Sequence, residues 1–222
     1  MKKIMFNDKY GLTAAVFEGR KTMTRRVISL PDTWHGIEVY GFSHVKGQAT
    51  LELTDGDDFI IEDPNTGQVA QVLPTYKIGE EVAVAQSYFN IYGERQIDGS
   101  IVKWCKANGK DFREEIRTME ALKETAGYDN KMFVRADLMP HRIRITGIKV
   151  EQLHDISSED CLREGIEARV TGCHTFYYIH GEERPYNFPK QAFAALIDKV
   201  SGRGTWDENP YVFAYTFETI NP

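Results

Sequence analysis

Residues 18–26 read EGRKTMTRR, a glycine followed by four cations and two threonines within nine positions. Upstream, Leu12, Ala15, Val16 and Gly19 recur at helical spacing, so the preceding segment reads as a helix with one apolar face. Asn7 or Asp8 is suited to cap its start. Gly19 falls where a helix C-terminus turns to positive φ. Lys21–Arg26 therefore leaves the helix as loop or strand. A helix end also attracts cations for electrostatic reasons alone, because its last carbonyls carry partial negative charge. The choice between helix end and reaction site rests on the rest of the chain.

Ile4–Phe6 reads as a short strand before that helix. Residues 36–75 read as an all-β insertion. Its β-prone runs are Glu38–Phe42, Ala49–Leu53, Phe59–Glu62 and Val69–Leu73, with turns at Lys46-Gly47, Asp55-Gly56 and Pro64–Gly67 between them. Val82 and Val84 mark another strand after Gly79. Residues 92–132 are polar, with a helix expected over Asp111–Ala126 on the spacing of Phe112, Ile116, Met119 and Leu122. Arg142–Val150 is a strand whose apolar phase shifts from Ile143 and Ile145 to Ile148 and Val150 across Thr146-Gly147, a bulge signal. Ser157 caps a short helix ending at Glu164, with Gly165 as its stop. Residues 169–187 read as irregular and aromatic. Pro189 opens a helix with Phe193, Leu196, Ile197 and Val200 as its stripe. Tyr211, Phe213, Tyr215 and Phe217 alternate in a last strand. The pattern is that of an α+β protein, a small mixed sheet or barrel flanked by helices.

Composition narrows the function. The net charge of −6 over 222 residues argues against a broad duplex binder. The charge is unevenly placed. Residues 1–27 carry seven Lys and Arg against Asp8 and Glu18, residues 28–98 carry three against twelve acids, and residues 131–149 carry five against Asp137. Two basic segments and an acidic one between them suit a short or small anionic partner. Cys105, Cys161 and Cys173 form no C-x-x-C pair, and the six His residues show no ligand grouping, so neither a zinc site nor any other metal or cofactor is expected. Scattered cysteines, no apolar stretch after Met1–Phe6 and no apolar run of membrane-spanning length lead to the expectation of a cytoplasmic protein without a membrane partner.

Four segments in order resemble the ASCH family, whose fold is a PUA-like β-barrel. Gly19-Arg20-Lys21-Thr22-x-Thr24-x-Arg26 is similar to the family's G-x-K-x-x-T-x-R signature. LHDISSEDCLREGI, residues 153–166, resembles its segment of strand, short helix and acidic residue. GTWDENPYVFAYTFETI, residues 204–220, resembles the closing strand of long members found in phages and mobile elements; IMFND, MPHRIRI and YKIGEEVAV agree with those members. The resemblance implies one ASCH/PUA-like domain over residues 1–222. Its core would be about 1–27, 77–88, 133–168 and 188–222, decorated by insertions at about 28–76 and 89–132.

Members similar to the N4-acetylcytidine amidohydrolase use the signature Lys and Thr with a later Glu, which implies Lys21, Thr24 and Glu164 as catalytic residues here. Arg20, Arg25, Arg26 and Arg142 are the expected substrate-binding cations. Where longer relatives carry an Arg-Glu pair near the end of the second strand, this chain has Ala85-Gln86.

The implied chemistry is metal-independent hydrolysis of an N-acyl bond on a modified, cytidine-like nucleoside. Thr24 supplies a hydroxyl. Lys21 can act as base only if its pKa falls well below the ordinary value of about 10.4. Neighbouring arginines and burial both push it down. The alternatives are a non-catalytic module that binds RNA or a nucleotide, and a phage accessory protein that binds a host protein.

Overall fold

In a computed structural model, the structure describes residues 1–28, 33–34, 37–38, 50–53, 59–62, 69–72, 74–91, 109 and 111–220. The fold is α+β with a mixed sheet. The chain divides into two compact units. One holds Met1–Phe6, Glu81–Ile143 and Ile220–Pro222, and the other holds Asn7–Glu80 and Arg144–Thr219.

In the first unit, β1 (Lys3–Ile4) runs parallel to β8 (Glu81–Val84), with Lys3 opposite Ala83. Val84 donates its N–H to the His141 carbonyl, where β9 (Arg142–Gln152) begins. Ala83, Ala85, Ile91, Val134 and Met139 form a buried apolar cluster. The Lys3 ammonium donates to the carbonyls of Lys131 and Val134, which ties the first strand to the turns at 131–138. Helix α2 (Phe112–Leu122) starts at Asp111, whose carboxylate accepts the N–H groups of Arg113 and Glu114. The helix ends four residues earlier than the apolar spacing predicts.

The second unit carries the signature segment. Asn7 caps a 3-10 turn, not the helix itself, and Gly11 at φ +61° separates that turn from α1 (Leu12–Phe17). After α1, Gly19 takes φ +71° and the chain enters β2 (Met23–Val27). β2 pairs antiparallel with β12 (Tyr211–Ile220), Thr24 opposite Tyr215 and Arg25 opposite Ala214. β12 neighbours β9. Along β9 the buried residues switch from Ile143 and Ile145 to Ile148 and Val150, the phase shift expected at Thr146-Gly147.

Of the expected β-rich insertion, the structure describes β3 (Thr33–Trp34), β4 (Ile37–Glu38), β5 (Thr50–Leu53), β6 (Phe59–Glu62) and β7 (Val69–Val72). β5 pairs with β9, Leu51 opposite Val150, so this segment adds a strand to the central sheet. The turns expected at Lys46-Gly47, Asp55-Gly56 and Pro64–Gly67 lie outside the described residues. Within the second unit β9, β12 and β2 lie side by side in that order, and no pairing among the described residues closes them into a barrel.

Residues 169–187 depart from the sequence expectation. β10 (Glu167–Thr171) and β11 (His174–Tyr178) form an antiparallel hairpin with Thr171 opposite His174. Gly172 at φ +63° opens its two-residue turn, as such tight hairpins require. The segment reads as irregular because β10 is exposed on both faces beyond Glu167 and so shows no apolar alternation. Helix α3 (Ser158–Arg163) is capped by Ser157, whose hydroxyl accepts the Asp160 N–H, and Gly165 at φ +105° ends it. Helix α4 (Pro189–Ser201) starts on Pro189 and buries Phe193, Leu196 and Ile197. Val200, expected on that stripe, is exposed. Helix α5 (Thr205–Glu208) leads into β12.

Two glycines separate backbone strain from steric fit. Gly11 and Gly19 both hold positive φ, but a Cβ at Gly11 would collide with the His180 ring, whereas one at Gly19 meets nothing within 4 Å. Gly19→Ala is expected to cost about 1 kcal/mol from the left-handed backbone alone. Gly11→Ala should cost clearly more in urea melts, and equal losses would refute the packing account of Gly11.

Candidate functional site

The site is built from three places in the second unit: the start of β2, the end of β9, and the C-terminus of α3. The turn after Gly19 is fixed when Lys21 donates its N–H to the Ala15 carbonyl. The Thr22 N–H reaches the Arg163 carbonyl, and the Thr22 carbonyl accepts the Phe217 N–H. These bonds hold the signature against both α3 and β12.

Lys21 and Glu164, 143 positions apart, meet directly. The Lys21 ammonium donates to Glu164 Oε2 at 2.6 Å and to the Glu164 carbonyl at 2.8 Å. Both side chains are buried. Gly165 permits this approach: a Cβ there would lie 3.1 Å from Leu12 Cδ2 and 3.7 Å from Lys21 Cδ. The Arg25 side chain is wholly buried and gathers three carboxylates. Its Nη1 lies 3.1 Å from Glu164 Oε1, its Nη2 3.1 Å from Asp160 Oδ2, and its Nε 2.8 Å from Glu151 Oε1. Asp160 also faces Arg163 at 3.5 Å. Each Glu164 oxygen thus faces a different cation.

The electrostatics follow from burial and these partners. Burial pushes the Lys21 pKa below its ordinary value; Glu164 pulls it back only in part, and Arg26 and Arg25 add to the depression. Burial would raise Glu164, but the charges of Lys21 and Arg25 and their hydrogen bonds outweigh it, so its carboxyl is held below the ordinary range. Arg25 loses solvation on burial, yet Glu164, Glu151 and Asp160 more than offset this and keep it charged. The Cys161 thiol is pushed up to about 12, chiefly by burial, which removes it as a nucleophile at neutral pH.

The other expected residues are placed as follows. Thr24 is buried on β2. Arg20 is exposed and pairs with Glu18 at 2.6 Å. Arg26 is half-buried on β2 opposite Phe213. Arg142 is half-buried at the start of β9 and belongs to the first unit. Arg25, expected to bind substrate, instead has its guanidinium engaged by the three carboxylates. Sequence reasoning missed Glu151 and Asp160 as its partners. The signal for Asp160 is its position one helical turn before Glu164, on the same face of α3. Glu151 has no comparable signal, because it breaks the alternation of β9 by lying buried beside Val150. Among the described residues no three His, Cys, Asp or Glu side chains group as a metal ligand set. No described helix is long and apolar enough to cross a membrane.

A groove of about 580 Å³ lies beside this network, lined by Arg20, Leu162, Arg163, Ile166, Glu167, Ala168 and Arg169. Comparisons with protein-family models, curated proteins and solved structures found no match.

The depressed Glu164 pKa carries a pH signature. The unfolded chain takes up this proton near the ordinary value of 4.5, the folded chain at a lower pH. The carboxylate therefore contributes its full stabilisation above 4.5, and that contribution is lost as pH falls through the folded pKa. Glu164→Gln leaves Lys21 and Arg25 short of a counter-charge and should cost about 3–5 kcal/mol at pH 7. The gap between wild type and variant should narrow below pH 4.5. Urea titrations at a series of pH values check this, and a gap unchanged from pH 7 to pH 3 would contradict it.

Proposed function

We propose that this is an ASCH-type protein with a PUA-like barrel core that hydrolyses an N-acyl bond on a modified, cytidine-like nucleoside. The observation that carries the reading is the buried Lys21–Glu164 contact at 2.6 Å, formed between the signature and the acidic helix. In this mechanism Lys21 works as the base. Burial and the charges of Arg26 and Arg25 lower its pKa and so raise the share of neutral amine, while Glu164 opposes that shift and fixes the nitrogen in place. The amine takes the proton of Thr24 Oγ or of a water as that oxygen bonds to the acyl carbon. The carbon–nitrogen bond then breaks, and the leaving amine receives the proton held by Lys21. With Thr24 as nucleophile, a water next hydrolyses the acyl ester. With water, the acid and the free nucleoside form at once. The leaving nitrogen sits on an aromatic ring that delocalises its electrons, so it is expelled without a metal.

One observation favours a second reading. Lys21, Arg25 and Glu164 are all buried, and the two cations are neutralised by Glu164 together with Glu151 and Asp160, which also suits a structural clasp under a non-catalytic RNA- or nucleotide-binding surface. A single assay separates the two. Wild type and Lys21→Ala are incubated with N4-acetylcytidine and followed by chromatography for free cytidine, with circular dichroism verifying the fold of the variant. Wild type should release cytidine at a rate that climbs with pH through a Lys21 pKa below 10.5. The variant should be slower by about two orders of magnitude or more. Absence of release by wild type, or equal release by a folded variant, rejects the hydrolase.

A further inference from the structure

The groove beside the network is lined by three arginines, a single acid, Glu167, and the apolar residues Leu162, Ile166 and Ala168. Two of these arginines were not singled out by the signature. Arg163 is anchored through Nε to the Thr22 hydroxyl at 3.1 Å. Among the described residues its guanidinium has one further contact, the long one from Nη1 to Asp160, so the Nη2 amino group and part of Nη1 remain as donors there. Arg169 lies 4.4 Å over the Tyr178 ring, which braces the guanidinium plane, and uses Nη2 on Glu167. Arg20 is held by Glu18. Glu167 in turn is shared between Arg169 and His180, each at 2.7 Å, so its charge is largely spent within the groove wall.

We propose that this groove binds a nucleoside phosphate. The guanidinium groups of Arg163, Arg169 and Arg20 would hold the phosphate, and the apolar lining of Leu162, Ile166 and Ala168 would take the base. Guanidinium forks match phosphate oxygens in geometry and charge. The proposal rests on the cytidine-type reading for the base and on the groove itself for the phosphate. It also connects the two sites through two adjacent residues. Arg163 faces the groove, while its neighbour Glu164 turns inward to Lys21. The phosphate can belong to a free mononucleotide or to a residue within RNA.

The test is binding at low salt, by calorimetry for cytidine, cytidine 5′-monophosphate and inorganic phosphate, and by fluorescence anisotropy for a labelled oligocytidine RNA. Cytidine 5′-monophosphate or the RNA should bind about tenfold tighter than cytidine or more, and weaken as salt rises. A mononucleotide preference and an RNA preference are told apart by which of the two carries the gain, and either supports the site. Arg169→Gln, at an exposed position where folding is safe, should remove about tenfold of that affinity, and Arg163→Gln a similar amount. Arg135→Gln, at an exposed arginine outside the groove, should change nothing. Phosphorylated ligands that bind no better than cytidine, or bind Arg163→Gln/Arg169→Gln as well as wild type, overturn the proposal. Tight phosphate-dependent binding without cytidine release from N4-acetylcytidine would leave the groove standing and remove only the hydrolase.

Discussion

Everything near the signature depends on one buried carboxylate. Glu164 lies between Lys21 and Arg25, with one oxygen toward each. Placing three charges out of water carries a desolvation cost of several kcal/mol per ion, repaid only where the geometry is close and the lone pairs are filled. Here the contacts span 2.6–3.1 Å. Removing one partner would leave the others charged and unscreened, so the network behaves as a unit. It clasps β2, β9 and α3 together, because Arg25 also reaches Glu151 and Asp160. A hydrophobic cluster of equal volume can be as stable or more so. What the ionic version adds is fixed direction. A lysine nitrogen with a set position and a lowered pKa suits base catalysis, and structural ion-pair networks show the same shift.

The helix terminus that presents Glu164 is equally constrained. Its carboxylate can turn inward because the next residue is Gly165 at φ +105°, close against Leu12 and Lys21. A side chain there would meet Leu12 within 3.1 Å and would also strain the backbone. The glycine first read as a helix stop is thus also what lets α3 sit tightly over the signature. Ser157 sets the other end of the helix, and the six residues of α3 carry Asp160, Arg163 and the approach to Glu164. One short helix therefore supplies carboxylates to the interior and an arginine to the outer groove.

Much of this was legible in the sequence, and the parts that were not share a cause. The helix before the signature, the Gly19 turn, the Ser157 cap, the Gly165 stop and the phase shift of β9 follow from local rules, and each lies near its expected position. Lys21 and Glu164 were singled out through resemblance, since nothing in composition joins residues 143 positions apart. The inward turn of Arg25 was hidden because Arg25 and Arg26 look alike in sequence, and only the pleat of β2 assigns them opposite faces. The hairpin β10–β11 was missed because burial supplies the alternation on which strand reading depends, and this ribbon is mostly exposed.

The division of charge across α3 bears on which function the site can support. Arg25 and Lys21 are neutralised inside by Glu151, Asp160 and Glu164, so they offer little field to a phosphate in solvent. Arg163, Arg169 and Arg20 stay at or near the surface, each paired to a carboxylate. A chain of net charge −6 does not attract nucleic acid over its whole surface, so recognition has to be local. The cations of the signature segment therefore do not form one patch. Lys21 and Arg25 face inward onto buried carboxylates, whereas Arg20 stays outside with Glu18.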